Sequence, residues 1–217
     1  MPTLKPLVQC NTPHEAIASL CAPFAGLDSS TVEFDEVSPR EMPTLERFLL
    51  VHNNHMTKAL AAQYRVPVDL HVLESHMDGL VYARKIVLTL QETDYAVEYG
   101  LARVNLRRMP EPVRRSILEE HAPLGAILLH HNPLRHIHPR WYLRFPGKSA
   151  LLQWFDARRS APMYGRVGTI YVDHEPAIEV LEIATAIPVP ANLPGDRRFK
   201  TENTKGPERQ QRAGDGG

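Results

Sequence analysis

The chain has 217 residues, 43% of them apolar, and its 25 basic and 25 acidic side chains cancel to zero formal charge. That length suits one domain with tails and a real core. The charge balance argues against a general nucleic-acid or anionic-membrane binder, and no apolar run approaches the length of a bilayer span. The N-terminal MPTLKPLVQC has no secretory apolar region, so a cytoplasmic home is the expectation. Cys10 and Cys21 have no CxxC spacing and by themselves give neither a disulfide framework nor a zinc site.

Residues 1–12 carry Pro2, Pro6 and little pattern, which reads as a loosely attached arm. Thr12-Pro13-His14-Glu15 opens a short helix to about Cys21, with Thr12 as N-cap and Pro13 at the first helical position. From Thr44 to Val51 the pattern is helical, with Leu45, Phe48 and Leu49 spaced to face inward. Asn54 is placed to cap a second helix carrying Met56, Leu60 and Tyr64 on one face. Val66, Val68, Leu70 and Val72 then alternate as a strand.

The stretch Val81–Leu106 reads as a hairpin around the polar turn Gln91-Glu92-Thr93-Asp94. Alternation puts Arg84 on a face with Tyr82, Ile86, Leu88 and Leu90, and puts Arg103 with Tyr95, Val97, Tyr99 and Leu101. A guanidinium among large apolar neighbours is costly unless an anion meets it. Two readings stand for each arginine. It serves a pocket for a carboxylated, mostly non-polar ligand, or it snorkels to a sheet edge or pairs with an internal Glu.

Pro110 starts a helix to about Glu120 with Val113 and Ile117 inward, and Ala122–Gly125 is a loop into the short apolar run Ala126–Leu129. The stretch HHNPLRHIHPR reads as a Pro-punctuated loop, followed by a short strand at Trp141–Phe145. A second hairpin has Tyr164–Val172 as one arm, Asp173–Pro176 as the turn and Ala177–Ile187 as the other arm. In that last arm Glu182 shares a face with Ile178, Val180 and Ala184, while Glu179 lies opposite; the more apolar face favours Glu182 for a pocket. Residues 191–217 have almost no apolar side chains and are expected to be a disordered polar tail after a single domain over 1–190. Helices followed by hairpins, with few crossover helices, indicate an α+β fold around an antiparallel sheet.

Four segments, in order, resemble the chorismate pyruvate-lyase family: FLLVHNNHMTKALAAQ, ARKIVL, APLGAIL and MYGRVGTIYVDHEPAIEVLEI. They cover about residues 44–186. The resemblance implies a chorismate lyase-like antiparallel sheet with helices packed on it, enclosing a ligand cut off from water. It implies a cofactor-free lyase that splits chorismate into 4-hydroxybenzoate and pyruvate. Carried over by position, Arg84 would bind the ring carboxylate, Met56 would line the ring pocket and the Leu124-Gly125 backbone would approach the ligand. Arg103 is the candidate second arginine, and Glu182 would be the catalytic acid near the departing oxygen. A Glu on an apolar strand face fits that task, since desolvation raises its pKa.

The 11 histidines are a surplus concentrated around His130, His131, His136 and His138. A metal role is weighed there, but no ligand motif accompanies it, so no metal is expected and a surface or flap loop is preferred. The partner expected is a small carboxylated molecule, with no nucleic acid and no membrane; oligomeric state stays open. Two other functions compete with the lyase. One is a non-catalytic sensor or binding module of the same fold. The other is an enzyme of specialised metabolism that reuses the pocket for another elimination or cyclisation.

Overall fold

A computed structural model describes residues 10–93, 95–131, 135–155 and 161–185. Part of the N-terminal arm, Asp94 of the first hairpin turn, residues 132–134 of the His-rich stretch and the polar tail lie outside the described residues.

The chain opens with α1 (Pro13–Cys21), which starts where its capping residues dictate. Thr12 Oγ1 accepts from the Glu15 backbone N–H at 3.2 Å, and the Glu15 carboxylate accepts from Asn11 N–H at 2.7 Å. Such a cap is worth about 1 kcal/mol. Next come β1 (Asp35–Val37), α2 (Thr44–Leu50), α3 (Met56–Tyr64), β2 (Val68–Asp78), β3 (Val81–Leu90) and β4 (Ala96–Asn105). The second half holds α4 (Glu111–Leu118), α5 (Leu124–His131), β5 (Arg135–Phe145), β6 (Met163–Val172) and β7 (Glu175–Ala184).

The strands form one seven-stranded sheet in the order β1-β5-β6-β7-β4-β3-β2, every neighbouring pair antiparallel. Two three-stranded meanders, β2-β3-β4 and β5-β6-β7, are joined where β4 meets β7. Asp173 and His174 both take positive φ, 49° and 66°, giving the tight twist that a two-residue connection between β6 and β7 needs. This is the α+β arrangement of helices on an antiparallel sheet expected from the sequence.

Register divides the side chains between two faces. Ala83, Val87, Tyr99, Leu101, Val167, Leu181 and Ile183 pack with Ile17, Leu20 and Cys21 of α1. The opposite face carries two separate apolar clusters. One joins α4 and α5 to Tyr82, Ala102, Ile170, Ile178 and Val180. The other joins α2 and α3 to Leu88, Leu90, Val97 and Ala184. The seam between these two clusters is where polar side chains gather.

Three local expectations are corrected. Helix α2 buries Leu49 and Leu50 and turns Leu45 and Phe48 to solvent. Its rotation is set from outside the helix, because Arg166 on β6 holds the Leu50 carbonyl. Ala126–Leu129 belongs to α5. Most of the His-rich stretch is not a loop but the start of β5. Pro139 is tolerated there because β1 pairs only with Tyr142–Arg144 and the β5–β6 register shifts between Pro139 and Trp141.

Candidate functional site

The seam opens into a pocket. Its floor is the sheet, where Arg84 and Ile86 of β3, Glu98 and Gly100 of β4, Glu182 of β7 and Arg166 of β6 share one face. Its rim is the first turns of α3 and α5, His55–Thr57 and Pro123–Gly125. The two helix ends are pressed together. A Cβ on Gly125 would sit 2.8 Å from His55 Cβ and 3.0 Å from Thr57 Oγ1. Only a glycine lets α5 start this close to α3. Both helix starts line this region, where a helix carries the positive end of its dipole.

Arg84 is 1% exposed. Its Nη1 reaches the Ala122 carbonyl at a long 3.4 Å, and its Nε has no hydrogen-bond partner among the described residues. No carboxylate lies within ion-pairing distance of it among those residues. Burial pulls its pKa down, against the Tyr82 hydroxyl and Glu120 nearby. Tyr82 in turn donates to Glu120 Oε1 at 2.7 Å. Burial and that hydrogen bond push the phenol pKa up.

Arg166, also 1% exposed, is bonded through all three of its nitrogens. Its Nε donates to Glu182 Oε2 at 2.6 Å. Its other nitrogens donate to the carbonyls of Leu50 (3.1 Å), His52 (2.7 Å) and Asn54 (3.2 Å). Its Nη1 lies 3.2 Å from His52 Nδ1, and burial followed by this cation holds the His52 pKa down. The connection from α2 to α3 is thus tied to the sheet through one guanidinium.

Of the residues singled out in the sequence, Arg84, Met56, Leu124, Gly125 and Glu182 meet in the pocket. Arg103 does not. Arg84 pairs across the hairpin with Ala102, so Arg103, one residue on, points to the α1 face. There its Nη1 contacts Ser19 Oγ and lies 3.4 Å from Glu179 Oε2. Arg103 is therefore corrected from ligand contact to the internal Glu-paired alternative. Glu179 goes with it, its pKa raised by burial and held back by Arg103.

Sequence reasoning missed Glu98 and gave Arg166 no role. Glu98 is 3% exposed, and its Oε2 has no hydrogen-bond partner among the described residues. Desolvation and then the charge of Glu182 raise its pKa well above the ordinary value, against Arg166 and Arg84. A signal for it was present: in β4 the face bearing Glu98 otherwise carries Gly100 and Ala102, a strip of small residues that leaves room above the sheet. Among the described residues no group of three or more His, Cys, Asp or Glu is placed to hold a metal ion. His136 instead stacks on Tyr171 with centroids 4.5 Å apart, and His131 Nε2 lies 3.0 Å from Ser116 Oγ. No helix among the described residues is long and apolar enough to cross a membrane.

No family model matches the chain, and no curated protein matches it. Among solved structures it is similar to PhnF from Mycobacterium smegmatis, at 16% identity and a TM-score of 0.40, covering 60% of this chain and 63% of that one. The match to the effector domain of PhnF is at 17% identity and a TM-score of 0.40, covering 60% and 88%. A third similar structure is the C-terminal domain of the histidine utilization repressor from Pseudomonas syringae, at 11% identity and a TM-score of 0.39, covering 59% and 99%. At these identities and scores the likenesses assign no activity to this chain.

These findings nevertheless correct two expectations. The similar structures are named as an effector domain and part of a repressor, not as lyases, so the carbon–oxygen lyase and its chorismate chemistry do not stand. Glu182, expected to be a catalytic acid, has its Oε2 engaged at 2.6 Å by the Arg166 Nε donor. The exclusion of a nucleic-acid partner does not stand either, since one similar structure is part of a repressor.

Proposed function

We propose that this chain is a ligand-binding module that takes up a small, mostly non-polar carboxylate and performs no chemistry on it. The observation that carries this reading is Arg84: a fully buried guanidinium, facing a pocket, with no carboxylate partner among the described residues. Leaving a charge so placed is expensive, and a ligand carboxylate is the partner that relieves the cost, as a short charge-assisted pair. Met56 and Ile86 offer apolar contact to the body of the ligand, and the Leu124–Gly125 backbone offers N–H groups at a helix start. Arg166 and Glu182 satisfy one another and shape the wall. In this reading the module reports its ligand to a regulatory partner, and nucleic acid enters through a DNA-binding element rather than through this neutral domain.

The test is calorimetry and thermal unfolding with benzoate, 4-hydroxybenzoate and the uncharged benzamide. The carboxylates are expected to bind and raise the melting temperature, the amide to do neither, and Arg84→Met to abolish both responses. Equal responses to benzoate and benzamide would overturn the reading. Chorismate incubated with the protein is expected back unconverted; release of pyruvate would overturn the non-catalytic part.

A further inference from the structure

Resting on the reading that Arg84 receives a carboxylate, we propose that the ligand is a zwitterion, carrying a protonated amine opposite its carboxylate that is received by Glu98 and Glu182.

The pocket has two ends of opposite character. At one end Arg84 makes no ion pair with a carboxylate among the described residues, though Glu120 and Glu98 act on it from further off. At the other stand two carboxyl groups, Glu98 and Glu182, with a single guanidinium, Arg166, between them and the loop it ties down. Arg166 is paired with Glu182 through Nε and donates from Nη1 and Nη2 to three carbonyls. Among the described residues, Glu98 has no cation within ion-pairing distance, and its Oε2 has no donor at all. Burial and the charge of Glu182 disfavour the ionised form of Glu98, while Arg166 and Arg84 favour it without pairing with it. A neutral donor would satisfy the geometry, but a cation paired directly with the bare Oε2 would also add to the partial offset that Arg166 and Arg84 give against Glu182.

Spacing sets the size of the molecule. Glu98 is opposite Leu88, but its side chain folds back over Gly100, with Oε1 3.6 Å from where a Gly100 Cβ would lie. Gly100 is opposite Ile86, two residues along β3 from Arg84. Two strand residues span roughly 7 Å, the reach of one six-membered ring with a substituent at each end. Gly100 is part of this design. A side chain there would meet Ile86 Cγ1 at 3.0 Å and occupy the floor between the two ends.

Charge bookkeeping gives a further signature. Glu98 faces Glu182 from β7, Arg166 from β6, Arg84 from β3 and the rim residue His55 from α3. With the pocket empty, burial and Glu182 favour its protonated form, against Arg166 and Arg84. An arriving ammonium favours the carboxylate, so the Glu98 proton leaves to solvent as the ligand binds. Affinity then rises with pH until Glu98 is ionised in the empty pocket as well.

The experiment is calorimetry on the full chain with 4-(aminomethyl)benzoate, 4-methylbenzoate and 4-(hydroxymethyl)benzoate, each in two buffers of different ionisation enthalpy. The aminomethyl compound is expected to bind at least about tenfold tighter than the other two and to release protons. Glu98→Gln, close in shape, is expected to keep 4-methylbenzoate binding while losing both the amine preference and the proton release. Binding of 4-methylbenzoate as tight as that of the amine would overturn the zwitterion while leaving the carboxylate reading intact. So would equal binding of the hydroxymethyl compound. Failure of all three to bind would overturn both.

Discussion

Arg84 and Arg166 stand on the same face of one sheet, each 1% exposed, and differ in almost everything else. Arg166 spends its donors on one carboxylate and three backbone carbonyls, and so acts as a tie between the α2–α3 connection and the sheet. Arg84 has one long bond to a carbonyl and a bare Nε. Equal burial therefore does not mean equal purpose. A saturated guanidinium contributes to the fold, whereas an unsaturated one is a standing cost that folding alone does not explain. Arg103 on the opposite face is a third buried arginine, and there the internal carboxylate of Glu179 lies 3.4 Å from its Nη1.

The comparison breaks if the two pocket arginines respond alike to removal. Arg166→Met should be the most damaging change, costing about 4 kcal/mol, because it strands Glu182 and three carbonyls. Urea unfolding measures it, and a loss under 1 kcal/mol would remove the tie from the account. Arg103→Met should cost about 3 kcal/mol by breaking the pair with Glu179, without altering the affinity for benzoate measured by calorimetry. Gly125→Ala should cost about 2 kcal/mol, since its Cβ would collide with His55 and push α5 away from α3.

Glu98 sharpens the comparison through pH. Its folded pKa is raised, so from the ordinary carboxylate range upward the unfolded chain loses this proton while the folded one keeps it. Stability should fall with rising pH across that window and level off above the folded pKa. Glu98→Gln should flatten that slope and stabilise the protein at neutral pH, which unfolding curves from pH 4.5 upward will show. Arg84→Met should change stability least, within about 1 kcal/mol of the parent or slightly above it, because it removes a buried charge that has no ion pair among the described residues. A large loss there would assign Arg84 to the fold and end its role as a ligand anchor.

Much of this was legible in the chain. The cap Thr12-Pro13 located α1, and alternation located β3 over Val81–Leu90 and most of β6 and β7. The same alternation flagged Arg84 as a charge on an apolar face. Glu98 was overlooked because attention went to the face of β4 with the large side chains, whereas the pocket lies over the small ones. The His-rich start of β5 misled because its prolines were read without knowing that β1 leaves that part of the strand edge unpaired.

Local pattern, then, determined which residues form strands and helices, and which charged side chains sit among apolar neighbours. It did so because helix caps and period-two alternation act within a few residues. Which arginine meets the pocket was decided only by tertiary structure. With a side-chain period of two, the pairing of Arg84 with Ala102 sends Arg103 to the far face, and the β4–β7 pairing brings Glu182 beside Gly100. The rotation of α2 and the meeting of the α3 and α5 starts were likewise set by Arg166 and Gly125, through contacts more than a hundred residues apart in the first case and about seventy in the second.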